Sequence, residues 1–350
     1  MNLSQGRPYL AIPGPSVIPD RVLNAMHRAS PNIYEGPLHD LTATVFADLR
    51  RVARTTGHVA LYIANGHGAW EAANTNLFSR GDRALVAATG SFGHSWANSV
   101  RRLGVEVELL DFGKTSRADA GRIEEALRAD REGRIKAVLL TQVDTASTVL
   151  NDVAEVRRAI DAAGHSALLA VDCIASLGCD AFLMDDWGVD VMVAASQKGL
   201  MVPPGLGFVW LSDKALAACA GSDLRTPYWD WTARINATEY WQYFCGTAPT
   251  HHLYGLAEAL KMLLDEEGLD QAWARHRRLA EAVWAAAGAW GQGGDIALNV
   301  ARSGERAGSV TSLRGGGGGA GQLRRWCEAV AGVTLGIPLG MAEPHEAAYG

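Results

Sequence analysis

Short apolar runs alternate with longer stretches of helical periodicity between about residues 59 and 212. Runs that are apolar on both faces, such as Ala167-Leu168-Leu169-Ala170-Val171, are typical of parallel strands covered by helices on each side. The alternation therefore predicts a doubly wound α/β domain with a mostly parallel sheet. The predicted strands are residues 60–64, 84–88, 105–110, 135–141, 167–171, 191–194 and 207–211.

Capping residues and helical periodicity locate the helices. Asn151 and Asp152 precede a predicted helix at residues 153–163, and Gly164 follows it. Aromatic residues crowd residues 225–250, which predicts either core packing or an interface between two copies of the chain. Further helices are predicted at residues 69–77, 252–264 and 269–287, a short strand at 309–314, and a flexible glycine loop at 315–319.

Composition excludes several classes of protein. Hydrophobic residues make up 48% of the 350 residues and charged residues 20%, which is typical of a globular chain. A formal net charge of −6 gives no attraction to nucleic acid or anionic lipid, and no apolar run reaches the ~18 residues of a spanning helix. The five cysteines form no C-x-x-C pair. We predict a cytoplasmic protein that binds neither nucleic acid nor membranes.

Two charged side chains follow buried strands. Lys198 comes shortly after the apolar run at residues 189–195, and Asp172 ends the most apolar strand of the chain. Ligands of open α/β folds bind at this carboxyl edge of the sheet. Each residue has a plainer interpretation, since Lys198 is also compatible with a solvated loop and Asp172 with a helix cap.

A glycine turn follows another predicted strand. The sequence Asn65-Gly66-His67-Gly68 leads into a helix, where glycines allow backbone amides to approach an anion and the helix dipole adds attraction. His67 alone is also typical of a packed or capping histidine. His251 and His252 resemble a metal-binding pair, but no third ligand has suitable spacing, so no metal site is predicted.

A phosphate cradle, a buried aspartate and a buried lysine together suit pyridoxal 5'-phosphate, which has a phosphate to anchor, a pyridine nitrogen to protonate and an aldehyde to bind. At these residues the chain resembles class V aminotransferases of the alanine:glyoxylate, serine:glyoxylate and serine:pyruvate group. Resemblance covers nearly the whole chain, through Ile12-Pro13-Gly14-Pro15, Asn65-Gly66-His67-Gly68-Ala69-Trp70-Glu71, Val171-Asp172, Ala175-Ser176-Leu177-Gly178, Ser196-Gln197-Lys198, Pro203-Pro204-Gly205 and Tyr254-Gly255-Leu256.

The resemblance implies a fold and a role for each matching residue. The fold is that of the fold type I pyridoxal-phosphate transferases, a large domain with a mostly parallel sheet and a smaller α+β C-terminal domain. Lys198 is implied to be the catalytic residue, bonded to the cofactor aldehyde. Substrate contacts are implied for Pro13, Gly14 and Asp144. Cofactor contacts are implied for Asn65, Gly66, His67, Phe92, Thr145, Asp172, Gln197 and Thr247, the last reaching across a homodimer interface into the partner's site.

The match departs from the family pattern in two places. Relatives usually have His-Val-Glu-Thr-Ser-Thr where this chain has residues 142–147, so Ala146 replaces a serine and Asp144 a longer glutamate. Either Thr145 or water takes over from that serine hydroxyl, or the bond between the lysine and the cofactor titrates differently. Relatives also continue beyond Gly350 into an Arg-Ile-Gly-like motif that binds the substrate carboxylate. Either a tail is omitted here or the clamp is missing, and the lack of a closing element in residues 343–350 favours omission.

These expectations give one main function and several alternatives. The main one is a transaminase that moves an amino group from serine or alanine to glyoxylate or pyruvate. The alternatives are a lyase or desulfurase-type enzyme, for which Cys245 and Cys327 are the candidate thiols, a pyridoxamine–pyruvate type enzyme, and a catalytically silent pyridoxal-phosphate-binding dimer. We expect an N-terminal arm at residues 1–19 that contributes to the active site, a large domain at 20–250 and a small domain at 251–350.

Overall fold

A computed structural model describes residues 8–315 and 319–340, together with the backbone of residues 348 and 349. Its strands and helices follow one another in the alternation that the sequence predicts. The strands are β1 (Tyr9–Ala11), β2 (His58–Ala64), β3 (Arg83–Ala88), β4 (Glu106–Asp111), β5 (Ile135–Thr141), β6 (Leu168–Asp172), β7 (Val191–Ala195), β8 (Gly205–Leu211), β9 (Ile296–Leu298), β10 (Leu313–Gly315), β11 (Val333–Leu335) and β12 (Ala348–Tyr349).

Helices precede, separate and follow these strands. Two α-helices end in π-helical turns, at Met262–Glu267 and Cys327–Ala331, and short 3-10 helices cover Tyr240–Phe244 and Ser303–Glu305. The α-helices are α1 (Asp20–Met26), α2 (Pro37–Ala53), α3 (Gly66–Leu77), α4 (Ser91–Arg102), α5 (Ala120–Ala129), α6 (Val153–Ala162), α7 (Asp213–Ala218), α8 (Trp231–Ile235), α9 (Thr250–Lys261), α10 (Leu269–Gly291) and α11 (Ala320–Trp326).

The central sheet has seven strands in the order β2-β8-β7-β6-β5-β3-β4. The strands from β7 to β4 pair in parallel, whereas β8 is antiparallel to both of its neighbours. Only residues 196–204 connect β7 to β8, which is too short for the helical crossover that a parallel pair needs. The prediction of a mostly parallel sheet is therefore confirmed, with one reversed strand.

Helices cover both faces of this sheet. Along β5, Val138 and Leu140 belong to a core cluster packed under α2, α5, α6 and α9, while Ala137 and Leu139 belong to a second cluster under α3 and α4. Successive side chains of a strand point to opposite faces, so a strand buried on both sides must be apolar throughout. The predicted doubly wound architecture is confirmed.

Most predicted boundaries agree with the structure to within two residues. Helix α6 begins after Asp152, whose side chain accepts from the Glu155 amide at 2.9 Å. Asn151, predicted to help open this helix, instead bonds to the Ala118 amide and to Thr89 and is buried. The strand predicted at residues 309–314 is shorter in the structure, because only the residues of β10, Leu313–Gly315, pair with β9. Residues 316–318 of the predicted glycine loop lie outside the described residues.

The remaining strands form two small sheets. Strand β1 pairs in parallel with β11, so the beginning of the described chain pairs with its C-terminal part. Strand β10 lies between β9 and β12 and is antiparallel to both. Residues 343–347, for which no closing element was predicted, lie outside the described residues, but the backbone of β12 is paired. No helix in the described ranges has the length and apolar character needed to cross a bilayer.

The aromatic segment at residues 225–250 contributes both core and surface. Trp231 and Phe244 are fully buried, whereas Trp241 keeps 57% of its surface exposed. Arg234, which belongs to this segment, is buried and donates to the carbonyls of Leu61, Tyr243 and Tyr228 at 2.7 to 2.9 Å. These bonds attach the segment to strand β2, so its predicted core role is confirmed, while an interface role stays a prediction.

Candidate active site

Lys198 lies at the carboxyl edge of the central sheet, three residues beyond β7. Its side chain is partly buried, and its Nζ donates to the carbonyl oxygen of Pro13. Burial lowers the pKa of the Lys198 ammonium, while the negative charge of Asp172 acts in the opposite direction. A lysine in this state loses its proton more readily than a solvated one, which is what an amine nucleophile requires.

Asp172 ends strand β6, the neighbour of β7, and is 4% exposed. Its Oδ1 accepts from the Ile174 amide at 2.7 Å and its Oδ2 from the Trp70 indole at 3.0 Å. Burial raises the pKa of the Asp172 carboxyl to about 7, although both hydrogen bonds oppose this rise. Such a carboxylate gains strongly from a cation, which makes Asp172 suited to bind a protonated ring nitrogen.

The segment before α1 lies against Lys198. The Ser16 amide donates to the Gln197 carbonyl at 2.9 Å, and the Ser16 hydroxyl donates to the Lys198 carbonyl at 2.9 Å. A methyl group at Gly14 would come within 2.6 Å of the Lys198 side chain. The structure therefore brings Pro13 and Gly14, predicted to contact substrate, directly onto the lysine.

The glycine turn after β2 forms the first turn of α3, three residues earlier than predicted. Asn65 caps this helix and accepts from the amides of His67 and Gly68 at 3.1 and 3.3 Å. Gly66 is packed so closely that an added methyl group would come within 2.4 Å of Ile174. The His67 amide, predicted to bind phosphate, is thus already bonded to Asn65, and a phosphate would have to share or replace that bond.

Gln197 carries an unpaired polar atom. Its Oε1 is buried and has no hydrogen-bond partner within the described part of the chain. Leaving a buried polar atom unpaired is unfavourable, so this amide points to a group that binds beside Lys198. An amide can present either its oxygen or its NH₂ to a ligand, and an NH₂ that donates to a phosphate suits the cofactor contact predicted for Gln197.

Asp144 follows strand β5 and is fully buried. Its Oδ2 accepts from the amides of Phe92 and Gly93 at 2.8 and 3.0 Å, and its Oδ1 from those of Ala146 and Ser147 at 3.0 and 3.3 Å. Burial raises the pKa of the Asp144 carboxyl against these four bonds. The substrate contact predicted for Asp144 stays a prediction, since both oxygens already hold the first turn of α4 to the loop after β5.

Phe92, Thr145 and Thr247 differ in their positions. Phe92 lies in the first turn of α4 at the same edge of the sheet, with its ring 6.4 Å from that of Trp70. Thr145 is 5% exposed in the loop after β5, next to the buried Ala146. Thr247 is exposed before α9, and no contact joins it to Lys198 or Asp172 in the described chain. The structure brings Phe92 and Thr145 to the sheet edge but not Thr247.

The two adjacent histidines bond to different carbonyls. His251 contacts the carbonyl of Arg28 at 3.1 Å through its Nε2, and His252 contacts that of Pro204 at 3.3 Å. Among the described residues, no group of three or more His, Cys, Asp or Glu side chains could hold a metal ion. All five cysteines fall within the described ranges and have free thiols.

Trp70 lies within a motif that resembles the family, but the sequence predicts no role for it. In the structure the Trp70 indole donates to Asp172. This partner depends on how α3 packs against the sheet, which the sequence does not specify. The available signal was the position of Trp70 four residues after Gly66, near the start of a helix that begins at the predicted site. Ser16 and the capping role of Asp144 were missed for the same reason.

Comparison with known proteins identifies the class of protein that this fold and site define. The sequence model of the family described as Aminotransferase class-V matches residues 8–287. A serine–glyoxylate aminotransferase of Methylorubrum extorquens is 43% identical over 82% of this chain and 72% of that protein. An L-aspartate–glyoxylate aminotransferase of Paracoccus denitrificans is 39% identical over 80% of this chain and 70% of that protein.

Solved structures agree with this assignment. An alanine–glyoxylate aminotransferase from Nostoc sp. superposes with a TM-score of 0.86 at 25% identity, over 99% of this chain and 90% of that one. A pyridoxamine–pyruvate aminotransferase from Mesorhizobium loti has the same fold, with a TM-score of 0.90 at 23% identity over 100% of this chain and 88% of that one. The chain belongs to the class V aminotransferase family and has the fold type I architecture.

Proposed function

We propose that this protein is a pyridoxal-phosphate-dependent transaminase that moves an amino group from a small amino acid, serine or alanine, to glyoxylate or pyruvate. One observation carries the proposal. Asp172 ends one strand and Lys198 follows the strand hydrogen-bonded to it; Asp172 is buried, Lys198 is partly buried, and each alters the other's proton affinity. A lysine that readily loses its proton beside a carboxylate that needs a cation is the pair that this cofactor requires.

The residues around this pair fit the cofactor. The unpaired Oε1 of Gln197 marks one contact, and the first turn of α3, with Asn65, Gly66 and His67, offers the positive end of a helix dipole to a phosphate. Phe92 and Thr145, at the same edge of the sheet, would help to hold the cofactor ring. When bound, pyridoxal phosphate supplies an electron-withdrawing ring that stabilises negative charge at the substrate Cα.

This chain's own residues would move and hold the protons. Lys198 would bind the cofactor and, once released by the amino donor, carry a proton away from the substrate Cα with its neutral Nζ. Asp172 would hold the proton at the ring nitrogen. The segment that contains Pro13 and Gly14 would cover Lys198 and exclude water from it, which strengthens the electrostatic interaction with Asp172.

The relatives suggest the substrates. Serine–glyoxylate and L-aspartate–glyoxylate aminotransferases are 43% and 39% identical to this chain, and the Nostoc structure is an alanine–glyoxylate aminotransferase. Glyoxylate is common to these names, which supports it as the amino acceptor. The donor varies among them, so we propose serine or alanine first and include aspartate in the test.

We further propose a cytoplasmic homodimer in which each active site receives Thr247 from the partner subunit. The exposure of Thr247 and Trp241 in the aromatic segment supports an interface there. The free thiols agree with a reducing compartment.

We also propose a division into an arm at residues 1–19, a large domain at 20–250 and a small domain at 251–350. The pairing of β1 with β11 refines this division, since that pairing joins the arm to the small domain.

The test is a panel of amino donors added to the purified, cofactor-loaded protein. We expect serine or alanine to bleach the absorption band of the bound cofactor, and glyoxylate or pyruvate to restore it. Lys198→Ala should remove this cycle, while Lys214→Ala, an exposed lysine elsewhere, should leave it intact. Failure of every donor in the panel to bleach the band would contradict transamination, and pyruvate formed from serine without any acceptor would indicate a lyase.

A further inference from the structure

We propose that Trp70 is a positioning residue that holds the Asp172 carboxylate, oriented and ionised, for a protonated ring nitrogen. This inference rests on the proposed function, because the ring nitrogen belongs to the proposed cofactor. No hydrogen bond or ring contact of the described residues joins Trp70 to Lys198. Trp70 acts through Asp172, to which its indole Nε1 donates at 3.0 Å.

The bond is buried at both ends. Trp70 is 1% exposed and Asp172 4%, so water cannot replace the indole as a donor. The second carboxylate oxygen accepts from the Ile174 amide at 2.7 Å. Two donors from different elements, helix α3 and the loop after β6, therefore fix the plane of the carboxylate. An indole N–H can only donate, so it stabilises the ionised form of Asp172 over the protonated form.

Stacking fixes the indole. The ring of Trp70 lies 5.8 Å from that of Trp96 with an interplanar angle of 5°, and the Trp96 indole donates to Asn74 at 2.9 Å. The Trp70 ring also meets the rings of His67 at 4.8 Å and Phe92 at 6.4 Å, edge to face. One side chain thus contacts three residues that the sequence predicts to bind the cofactor.

Some of the groups around Asp172 raise the pKa of its carboxyl and others lower it. Burial and the carboxylate of Asp144 raise the pKa of Asp172, whereas the ammonium of Lys198 lowers it. The Cys173 thiol, whose own pKa is raised by burial, stays neutral beside it. The Trp70 and Ile174 bonds are the hydrogen bonds that favour the ionised carboxylate, and only the Trp70 bond comes from a side chain that can be replaced.

The stacked pair provides a matched experiment. Trp70→Phe and Trp96→Phe each remove one buried indole N–H from the same stack, but only the first removes a donor from Asp172. We would follow the aspartate carboxyl signals of the cofactor-free protein by ¹³C NMR against pH, with Asp172→Asn to assign the signal. We expect the Asp172 midpoint to rise by about one pH unit, a roughly tenfold change in proton affinity, in Trp70→Phe and to stay unchanged in Trp96→Phe.

The loaded enzyme gives a second readout. Because Trp70 would act through Asp172, Trp70→Phe should lower kcat for the amino donor about tenfold and leave KM unchanged, while Trp96→Phe should leave both unchanged. If Trp70→Phe does not fold, β-(3-benzothienyl)alanine at position 70 keeps the shape of indole with sulfur in place of the N–H. An unshifted Asp172 midpoint in either replacement of Trp70 overturns the inference.

The two proposals fail separately. The titration needs no cofactor, so it supports or overturns the role of Trp70 even if no amino donor bleaches the wild-type protein, which would count against transamination. Conversely, a protein that transaminates normally, with equal kcat in Trp70→Phe and wild type, would keep the proposed function and reject Trp70 as a positioning residue.

Discussion

The Nζ of Lys198 donates a hydrogen bond to the carbonyl oxygen of Pro13, a residue far earlier in the chain. The same segment bonds to the backbone of Gln197 and Lys198 through Ser16. The lysine is therefore held between the end of a buried strand and a loop whose own position depends on the pairing of β1 with β11. Any change that moves this loop should therefore displace the Lys198 side chain.

Gly14→Ala tests this contact. The added methyl group would lie within 2.6 Å of the Lys198 side chain, at a backbone φ of +132° that also disfavours alanine. Because small displacements of a reacting group are costly, we expect kcat/KM to fall about a hundredfold. Gly36→Ala is the control, since Gly36 also has a positive φ, of +95°, but nothing lies within 4 Å of its added methyl group. Equal losses in both variants would contradict the contact.

Asp172→Asn should change how stability depends on pH. Burial raises the pKa of Asp172 to about 7, above the value of about 3.9 for an exposed aspartate. Between these values the folded, cofactor-free protein keeps a proton that the unfolded chain releases, so its stability falls as the pH rises. Asparagine does not titrate. The variant should therefore gain stability relative to wild type from about pH 4 to about pH 7, by as much as about 4 kcal/mol.

Urea unfolding of both cofactor-free proteins across this pH window measures the difference. The free energies of unfolding should diverge as the pH rises and then stay a constant distance apart above about pH 7. A difference that does not change with pH would show that Asp172 titrates normally, and its proposed affinity for a protonated ring nitrogen would lose its basis.

Asp144→Ala should destabilise the fold strongly. The variant leaves four backbone amides without their acceptor, two in α4 and two in the loop after β5, at a fully buried position. We expect a loss of about 2–4 kcal/mol in the free energy of unfolding. Asp119→Ala removes an exposed helix cap that accepts from two amides and should cost about 1 kcal/mol. Similar losses in denaturant unfolding would contradict the structural role of Asp144.

Thr247 can be tested by mixing subunits. If Thr247 acts in the partner's site, a hybrid dimer of Lys198→Ala and Thr247→Ala subunits contains one site with both residues intact. We expect Thr247→Ala alone to retain the cofactor poorly, because a phosphate contact is lost, and the hybrid to recover activity that neither parent has. A hybrid that is no more active than a mixture of the two parent dimers would place Thr247 outside the partner's site.

The sequence predicted the sheet well because its signal is local. Each strand buried on both faces, such as β6, is apolar throughout, and Asp172 and Lys198 stand out because they end such runs. Residues that follow parallel strands meet at one edge, so their association follows from topology alone. The antiparallel direction of β8 was not predicted, since it depends on the length of a connection rather than on the strand itself.

The rest of the site depends on contacts between distant segments. The bond from Trp70 to Asp172 joins residues 102 positions apart, and that from Ser16 to Lys198 joins residues 182 apart. Neither bond produces a periodic pattern in the sequence from which it could be predicted. Asp144 was predicted to face substrate because of its place in a motif, whereas its four amide partners become visible only when α4 and the loop after β5 are packed together.

The most direct test of the central claim is borohydride reduction of the cofactor-loaded protein followed by peptide mapping. The chain has five lysines, Lys114, Lys136, Lys198, Lys214 and Lys261, so the mapping can discriminate. We expect one reduced cofactor per chain, attached to the peptide that contains Lys198, and no labelled peptide in Lys198→Ala. Attachment to any other lysine, or no attachment at all in the wild-type protein, would contradict this claim.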